Sequence, residues 1–297
     1  MHHHFLVYGT QFRLHVIWQN RGMKGVIMSK LMSLTQAVEL IQDKDIVGIG
    51  GNALHRAPMA LVHEIARQKK QNLQLVKTAG AMDVDLLCLA GCVHSVDAGF
   101  ISYETEYSLA GHYRKAVQEG TVKGNEHACY TVISALRAAS MGVGFMPVRG
   151  LQISDLIEAN DYFTKIQDPF TGEMVTVVKA IRPDVAIIHV QEADSNGNAR
   201  ITGPKYEDVL FSRAAKKVII SAETIVQENT FAFSREKADI PHFLVSAVVH
   251  APKGAAPCSC PTKYDIDRKQ LDEFKAMKDR DELEKYLDKY KAKEFKR

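Results

Sequence analysis

The chain has 297 residues, 46% hydrophobic and 25% charged, the composition of a globular protein large enough to bury a substantial core. Its formal net charge of +3 has one source: residues 1–27 hold Arg13, Arg21 and Lys24 and no acid, leaving 35 basic against 35 acidic side chains in the remainder. A neutral body without an interleaved basic and aromatic stripe argues against nucleic acid as a partner, and no apolar run reaches the ~18 residues of a membrane helix.

Residues 1–27 lack the unbroken apolar block of a signal peptide and read as a disordered leader or tag-like segment. Residues 28–297 are expected to form a single domain. Ser33 is placed to cap a helix whose apolar face is Leu34, Ala37, Val38 and Ile41, and the run at 46–51 reads as a buried strand. A helix opening at Pro58 follows, then a strand at 72–78, a short helix closed by Gly91 and a strand at 95–102. Two helical stretches, 106–120 and 126–142, end on glycines where a C-cap favours them, and 142–148 reads as a strand.

Residues 150–182 are less regular and include a hairpin-like excursion at 165–180. Alternation resumes with Val- and Ile-rich runs at 183–191, 216–223 and 242–250, a loop at 254–264, and an amphipathic C-terminal helix over 267–290. This order predicts an α/β fold: an open, mostly parallel, Rossmann-like sheet with helices on both faces. Five cysteines (Cys88, Cys92, Cys129, Cys258 and Cys260) form no regular framework, which fits a reducing cytoplasm. Cys258-Ser-Cys260 has no second pair to complete a zinc set, so no metal site is expected.

The stretch Gly48-Ile-Gly-Gly-Asn-Ala-Leu-His-Arg-Ala-Pro58 carries the strongest local signal. It formally meets a relaxed dinucleotide fingerprint, but the next helix opens only at Pro58, and the second strand ends in Lys77-Thr78 where a ribose site favours an acid. The bland reading is a glycine turn that lets strand and helix pack closely.

The same stretch resembles the first signature of the family I coenzyme A transferases: Asp43, a hydrophobic strand at 46–49, Gly50-Gly51, and a spaced Pro58, with Asn52 where the family usually has phenylalanine. Arg56-x-Pro58 is similar to the variant in alpha subunits of the glutaconate type. The block at 182–203, with His189, Ala193-Asp194 and Gly197-Asn198, resembles the later strand and loop of such alpha chains, and weaker matches extend the likeness from about Met28 to Pro261.

The resemblance implies ping-pong transfer of CoA between carboxylic acids through a glutamyl-CoA thioester, with CoA as substrate and no resident cofactor. The nucleophile of such enzymes lies in a Glu-x-Gly setting on the beta half. This chain contains no Glu-x-Gly, so it is expected to be an alpha subunit, inactive alone, working with a beta chain in a heterotetramer or larger even assembly.

Within that expectation, Gly50 and Gly51 offer backbone N–H groups to a carboxylate or thioester oxygen, and Asn52 adds an amide. Arg56 has three readings: the partner of a dicarboxylate's free carboxylate, an intersubunit ion pair, or a solvated charge. Gly80 and Ala81 line the acyl pocket or form a plain turn. Ser102, with Tyr103, Glu104 and Glu106, contacts substrate or caps a helix. His189 reads as a core histidine rather than a base, and Asp194, Gly197 and Asn198 as a structural turn near the interface with the beta chain. Glu126-His127 is a candidate acid/base pair at a helix start, the role an acid plays in CoA-thioester hydrolases of the same fold. The remaining alternative is a ligand-binding sensor without chemistry.

Overall fold

The computed structural model describes residues 29–151, 154–233, 237–289 and 291. The leader expected at 1–27 lies outside them. The chain enters helix α1 (Leu34–Glu39) through a capping box, with Ser33 Oγ accepting from the Gln36 N–H at 3.2 Å and Gln36 Oε1 accepting from the Ser33 N–H at 3.1 Å. Strand β1 (Ile46–Ile49), helix α2 (Met59–Arg67), β2 (Leu73–Gly80), α3 (Met82–Ala90) and β3 (Val93–Ile101) follow in the expected alternation.

The next stretch departs from the sequence reading. The helix expected over 106–120 is two pieces, α4 (Glu104–Tyr107) and α5 (Gly111–Gln118), and a strand follows that carries no apolar period, β4 (Lys123–Glu126). Helix α6 (Cys129–Ser140) then leads to β5 (Phe145–Pro147), α7 (Leu156–Ala159), β6 (Phe163–Gln167) and β7 (Met174–Lys179). Strands β5, β7 and β6 form a separate antiparallel sheet, so the 142–148 segment leaves the main sheet instead of joining it.

The chain returns through β8 (Val185–Asp194), β9 (Ala199–Arg200), α8 (Asp208–Ala214), β10 (Lys217–Val226), α9 (Thr230–Phe233) and β11 (Ala247–His250). The tail expected as one helix is broken into α10 (Arg268–Lys275) and α11 (Arg280–Lys289).

The main sheet has the order β11-β10-β8-β1-β2-β3-β4, all parallel, with β9 antiparallel on β8. From β1 the chain builds outward through β2, β3 and β4, then crosses back to lay β8, β10 and β11 on the opposite side. The order therefore reverses between β1 and β8. In an open parallel sheet that switch point opens a crevice beyond the carboxyl ends of the strands, and here the crevice falls at Gly50. One face packs Val38, Ile65, Leu86, Phe274 and Tyr286 from the first three and last two helices, and the other packs Leu136, Val178 and Phe211.

Helix α6 reaches the crevice because β3 gives way to it. A Cβ built on Gly99 would lie 2.2 Å from the Cys129 backbone nitrogen, so only glycine admits the helix at this height. Gly99→Ala is expected to destabilise the protein by about 1–3 kcal/mol in urea denaturation, as overpacked cores do. Gly111→Ala, where a Cβ meets nothing within 4 Å, serves as the control and leaves stability equal or higher.

Candidate active site

The loop after β1 is organised by one buried ion pair. Arg56 and Asp208 are both fully buried, with Arg56 Nη1 donating to Asp208 Oδ2 at 2.5 Å. The guanidinium also donates to the His189 carbonyl at 3.1 Å and, through Nη2, to the Pro204 carbonyl at 2.7 Å. The ring of Tyr206 lies 5.5 Å from its centre. Asp208 heads α8, where the helix dipole favours an acid, and its second oxygen accepts from the Gly51 N–H at 2.7 Å. The three readings of Arg56 are therefore corrected: its charge is neutralised within its own chain, and no free guanidinium is presented to a substrate or a partner.

The glycines serve the same pair. Gly50 donates to the Ile187 carbonyl at 2.9 Å, and a Cβ on it would lie 2.3 Å from Asp208 Oδ1. Gly51 has φ +72°, and a Cβ there would lie 2.5 Å from the Arg56 carbonyl oxygen. Both N–H groups expected to meet a substrate oxygen are thus spent on the chain's own acceptors. Asn52 is different: its backbone pairs with His55 in both directions, at 2.9 and 2.8 Å, while its half-buried side chain keeps its amide available.

A second buried pair braces the neighbouring strand. Lys77 is fully buried, 2.7 Å from Asp83 Oδ2, and donates to the Gly50 carbonyl at 2.5 Å. It therefore points into the fold rather than toward a phosphate, which removes the remaining support for a nucleotide site. Asp83 Oδ1 accepts from the Ala81 and Val84 N–H groups, both at 2.9 Å, closing the turn at Gly80-Ala81. Ala81 is buried, and a Cβ on Gly80 would meet Ile101 and Val84 at 2.8 Å, so this turn is packed on its inner side.

Beyond these pairs, a small set of polar groups faces the crevice. Thr78 Oγ1 donates to Glu207 Oε2 at 2.7 Å. The exposed Cys129, first residue of α6, donates its thiol to the Thr78 carbonyl at 3.3 Å. Partial burial, and then the Glu207 carboxylate, raise the Cys129 pKa and keep it a neutral thiol. His55 lies 3.6 Å from Glu104 and bonds Ser259 Oγ at 2.8 Å. Five non-glycine residues on the surrounding loops and at the start of α4 hold positive φ: Ala53 (44°), Arg56 (55°), Glu104 (66°), Ser108 (70°) and Tyr206 (45°). Such backbone is costly and gathers where side chains must be held in fixed positions.

The remaining predicted residues stand apart from this mouth or support it from below. Ser102 is buried, with Oγ donating to the Ser108 carbonyl at 3.0 Å, and Tyr103 donates to Asp85 at 2.9 Å, so the loop after β3 is anchored on its inner side. Glu126 does not open a helix. It ends the edge strand β4, exposed, while the buried His127 turns inward to Asp97 at 3.3 Å. Asp194 accepts from the N–H groups of Asn196, Gly197 and Asn198 at 2.8–3.0 Å and from Asn198 Nδ2 at 2.7 Å, an Asx-type turn.

His189 is fully buried, with Nδ1 bonded to Ser221 at 2.9 Å and Nε2 to Glu223 at 2.8 Å. Burial lowers its pKa, so it is held neutral. For Glu223 burial acts in the opposite sense to its hydrogen bonds from His189, Tyr264 and the Lys253 N–H, and the bonds win, keeping the carboxylate ionised. His189, Glu223 and Cys260 bring nitrogen, oxygen and sulfur within 4.8 Å of one another, a donor set that suits a transition metal. Internal hydrogen bonds already satisfy its nitrogen and oxygen members, and the cluster serves to tie the loop at 253–264 to the sheet.

Sequence reasoning missed Asp208, Asp83 and Glu207, which are far from the glycine loop in the chain. One signal was present for Asp208: a helix-opening acid after Pro204, the position where an N-terminal carboxylate is favoured. Removing one partner of the Arg56–Asp208 pair should be severe: Asp208→Asn or Arg56→Met alone is expected to cost about 3–5 kcal/mol. Urea denaturation of the double variant Arg56→Met/Asp208→Leu should recover part of that loss, giving a non-additive cycle.

A model of the family described as coenzyme A transferase matches residues 31–251. The chain is 35% identical, over 92% of its length, to an uncharacterised protein of Archaeoglobus fulgidus, of which it spans 62%. It is 32% identical to the A-subunit of glutaconate CoA-transferase from Acidaminococcus fermentans, over 81% of this chain and 80% of that one. It is 31% identical to the A-subunit of 3-oxoadipate CoA-transferase from Pseudomonas knackmussii, over 89% and 94%. Among solved structures, the A. fermentans glutaconate enzyme superposes with a TM-score of 0.80 over 89% of this chain and 93% of that one, at 31% identity. A variant of the decarboxylase AibA/AibB does so with the same TM-score over 89% and 99%, at 32% identity. By family match, identity and fold, this chain belongs to the coenzyme A transferase family and is of its A-subunit type.

Proposed function

We propose that this chain is the alpha half of a heteromeric CoA-transferase, forming one wall of a thioester site whose nucleophilic glutamate is supplied by a beta chain. The observation that carries the reading is the composition of the crevice. It holds a neutral thiol, a threonine, an amide and acids that are hydrogen-bonded or ion-paired, with the strong cations buried and paired, and the chain has no Glu-x-Gly. Such a wall orients and desolvates a substrate without attacking it.

In the proposed reaction the beta-chain carboxylate adds to the acyl-CoA carbonyl, and CoA thiolate leaves, giving a mixed anhydride. The thiolate then attacks the glutamyl carbonyl, releasing the first acid and forming glutamyl-CoA, and an acceptor carboxylate reverses the sequence. No metal or resident cofactor enters these steps. CoA is the substrate carried through them.

This chain's contribution is to hold the carbonyl group undergoing attack. Helices α3, α6 and α8 begin on the carboxyl-end side of the sheet. Asp83 and Asp208 occupy the first turns of α3 and α8, whereas α6 has no acid there, so its positive end remains for a developing oxyanion. Cys129 and the Thr78–Glu207 bond border that end. A hydrolase of this fold that draws its acid from this chain finds no support in Glu126, which sits exposed at a sheet edge.

Co-expression with a Glu-x-Gly beta chain, followed by acyl-CoA addition, borohydride treatment and mass spectrometry, tests the reading. The expected result is modification of the beta-chain glutamate, with no transfer by this chain alone. Modification of this chain, or steady release of free CoA without an acceptor acid, would contradict it.

A further inference from the structure

The electrostatics of the crevice carry information about the acyl group. Arg56 and Lys77, the cations beneath it, are both fully buried and paired, with Asp208 and Asp83, while Lys263 and Arg268 line the groove on the far side of His55. Glu207, one residue before Asp208, is held by a neutral hydroxyl instead: Thr78 Oγ1 donates to it at 2.7 Å, and Thr78 itself is buried at the end of β2. Its loop carries Tyr206, whose φ is +45° and whose ring lies 5.5 Å from the Arg56 guanidinium, and the Thr78 hydroxyl holds the carboxylate in place.

Glu207 also faces the open side. It is half-buried, precedes α8 and is bonded to Thr78 near the carboxyl end of β2, while the exposed Glu104 opens α4 just beyond β3, so both acids lie at the carboxyl ends of the strands. Glu104 has His55 at 3.6 Å, with both side chains well exposed to solvent screening. The half-buried Glu207 is screened less.

We infer that Glu207 is a specificity determinant that selects, at this wall, acyl groups without a distal carboxylate. A second carboxylate on the substrate would approach a fixed like charge in a partly desolvated crevice, where repulsion is stronger than in water. A neutral chain end meets the exposed Cys129 thiol without that penalty. The inference rests on the proposed CoA-thioester site, and it runs against the dicarboxylate expectation that Arg56 raised.

The test uses the complex with the beta chain and two acyl-CoAs of equal chain length, pentanoyl-CoA and glutaryl-CoA. Affinity is measured by calorimetry and kcat/KM with a common acceptor. The wild-type complex is expected to favour pentanoyl-CoA at least tenfold in both, and Glu207→Gln to shrink that ratio at least tenfold by improving glutaryl-CoA. Preference for glutaryl-CoA, or a ratio unchanged in Glu207→Gln, overturns the inference. If neither thioester turns over, the transferase reading fails, while the affinity ratio still decides the role of Glu207.

Discussion

The arrangement of the crevice depends on one constraint: a guanidinium and a carboxylate buried together beneath it. Removing both charges from water is expensive, and the cost is offset because neighbouring groups satisfy both carboxylate oxygens and both terminal guanidinium nitrogens, leaving Arg56 Nε without a hydrogen-bond partner among the described residues. Asp208 uses one oxygen for Arg56 and the other for the Gly51 N–H, and Arg56 reaches two carbonyls besides. That geometry demands a left-handed turn at Gly51 and leaves no room for a Cβ at Gly50. The glycine pair is therefore the footprint of an ion pair, and the loop it shapes carries Asn52 and His55 to the surface.

A second consequence concerns charge. Because Asp208 and Asp83 neutralise the cations at the carboxyl ends of β1 and β2, the part of the wall at Thr78 and Cys129 is left neutral to acidic, with Glu207 as its nearest charge, and Lys263 and Arg268 stand beyond His55. Helix α6 has no acid in its first turn, so its positive end is open to the electron-rich oxygen that the proposed function places there. In the proposed function this combination suits stabilising an oxyanion while discouraging additional anions, with nucleophilic attack assigned to another chain.

Much of the fold was legible in the sequence because parallel strands buried on both faces announce themselves as Val- and Ile-rich runs, and the helices between them carry clear periodicity. The failures have physical causes. Strand β4 is Lys-Gly-Asn-Glu, held by backbone pairing to β3 rather than by apolar side chains, so no pattern marks it. The 142–148 segment has strand character, but pairing with β7 draws it into a second sheet, a choice that depends on residues about thirty positions away. The site was harder still. The loop at 48–58 was visible as a signature, yet the meaning of Arg56 turned on Asp208, which lies 152 positions away in sequence. Local spacing reveals where a chain bends; it does not reveal which charge lies beneath the bend.

The central claim is that the crevice bordered by Gly50, Thr78 and the start of α6 is where a partner chain and an acyl-CoA meet. Cys129 reports on it directly, because it is exposed while Cys88, Cys92, Cys258 and Cys260 are buried. The most direct measurement is the rate of Cys129 alkylation by a maleimide in the isolated chain, in the complex with the beta chain, and in that complex with acyl-CoA. The account predicts one reactive thiol in the native isolated chain, slowed at least tenfold when partner and acyl-CoA are both present. An unchanged rate in the active, acyl-CoA-loaded complex would place the thioester site elsewhere and contradict the account.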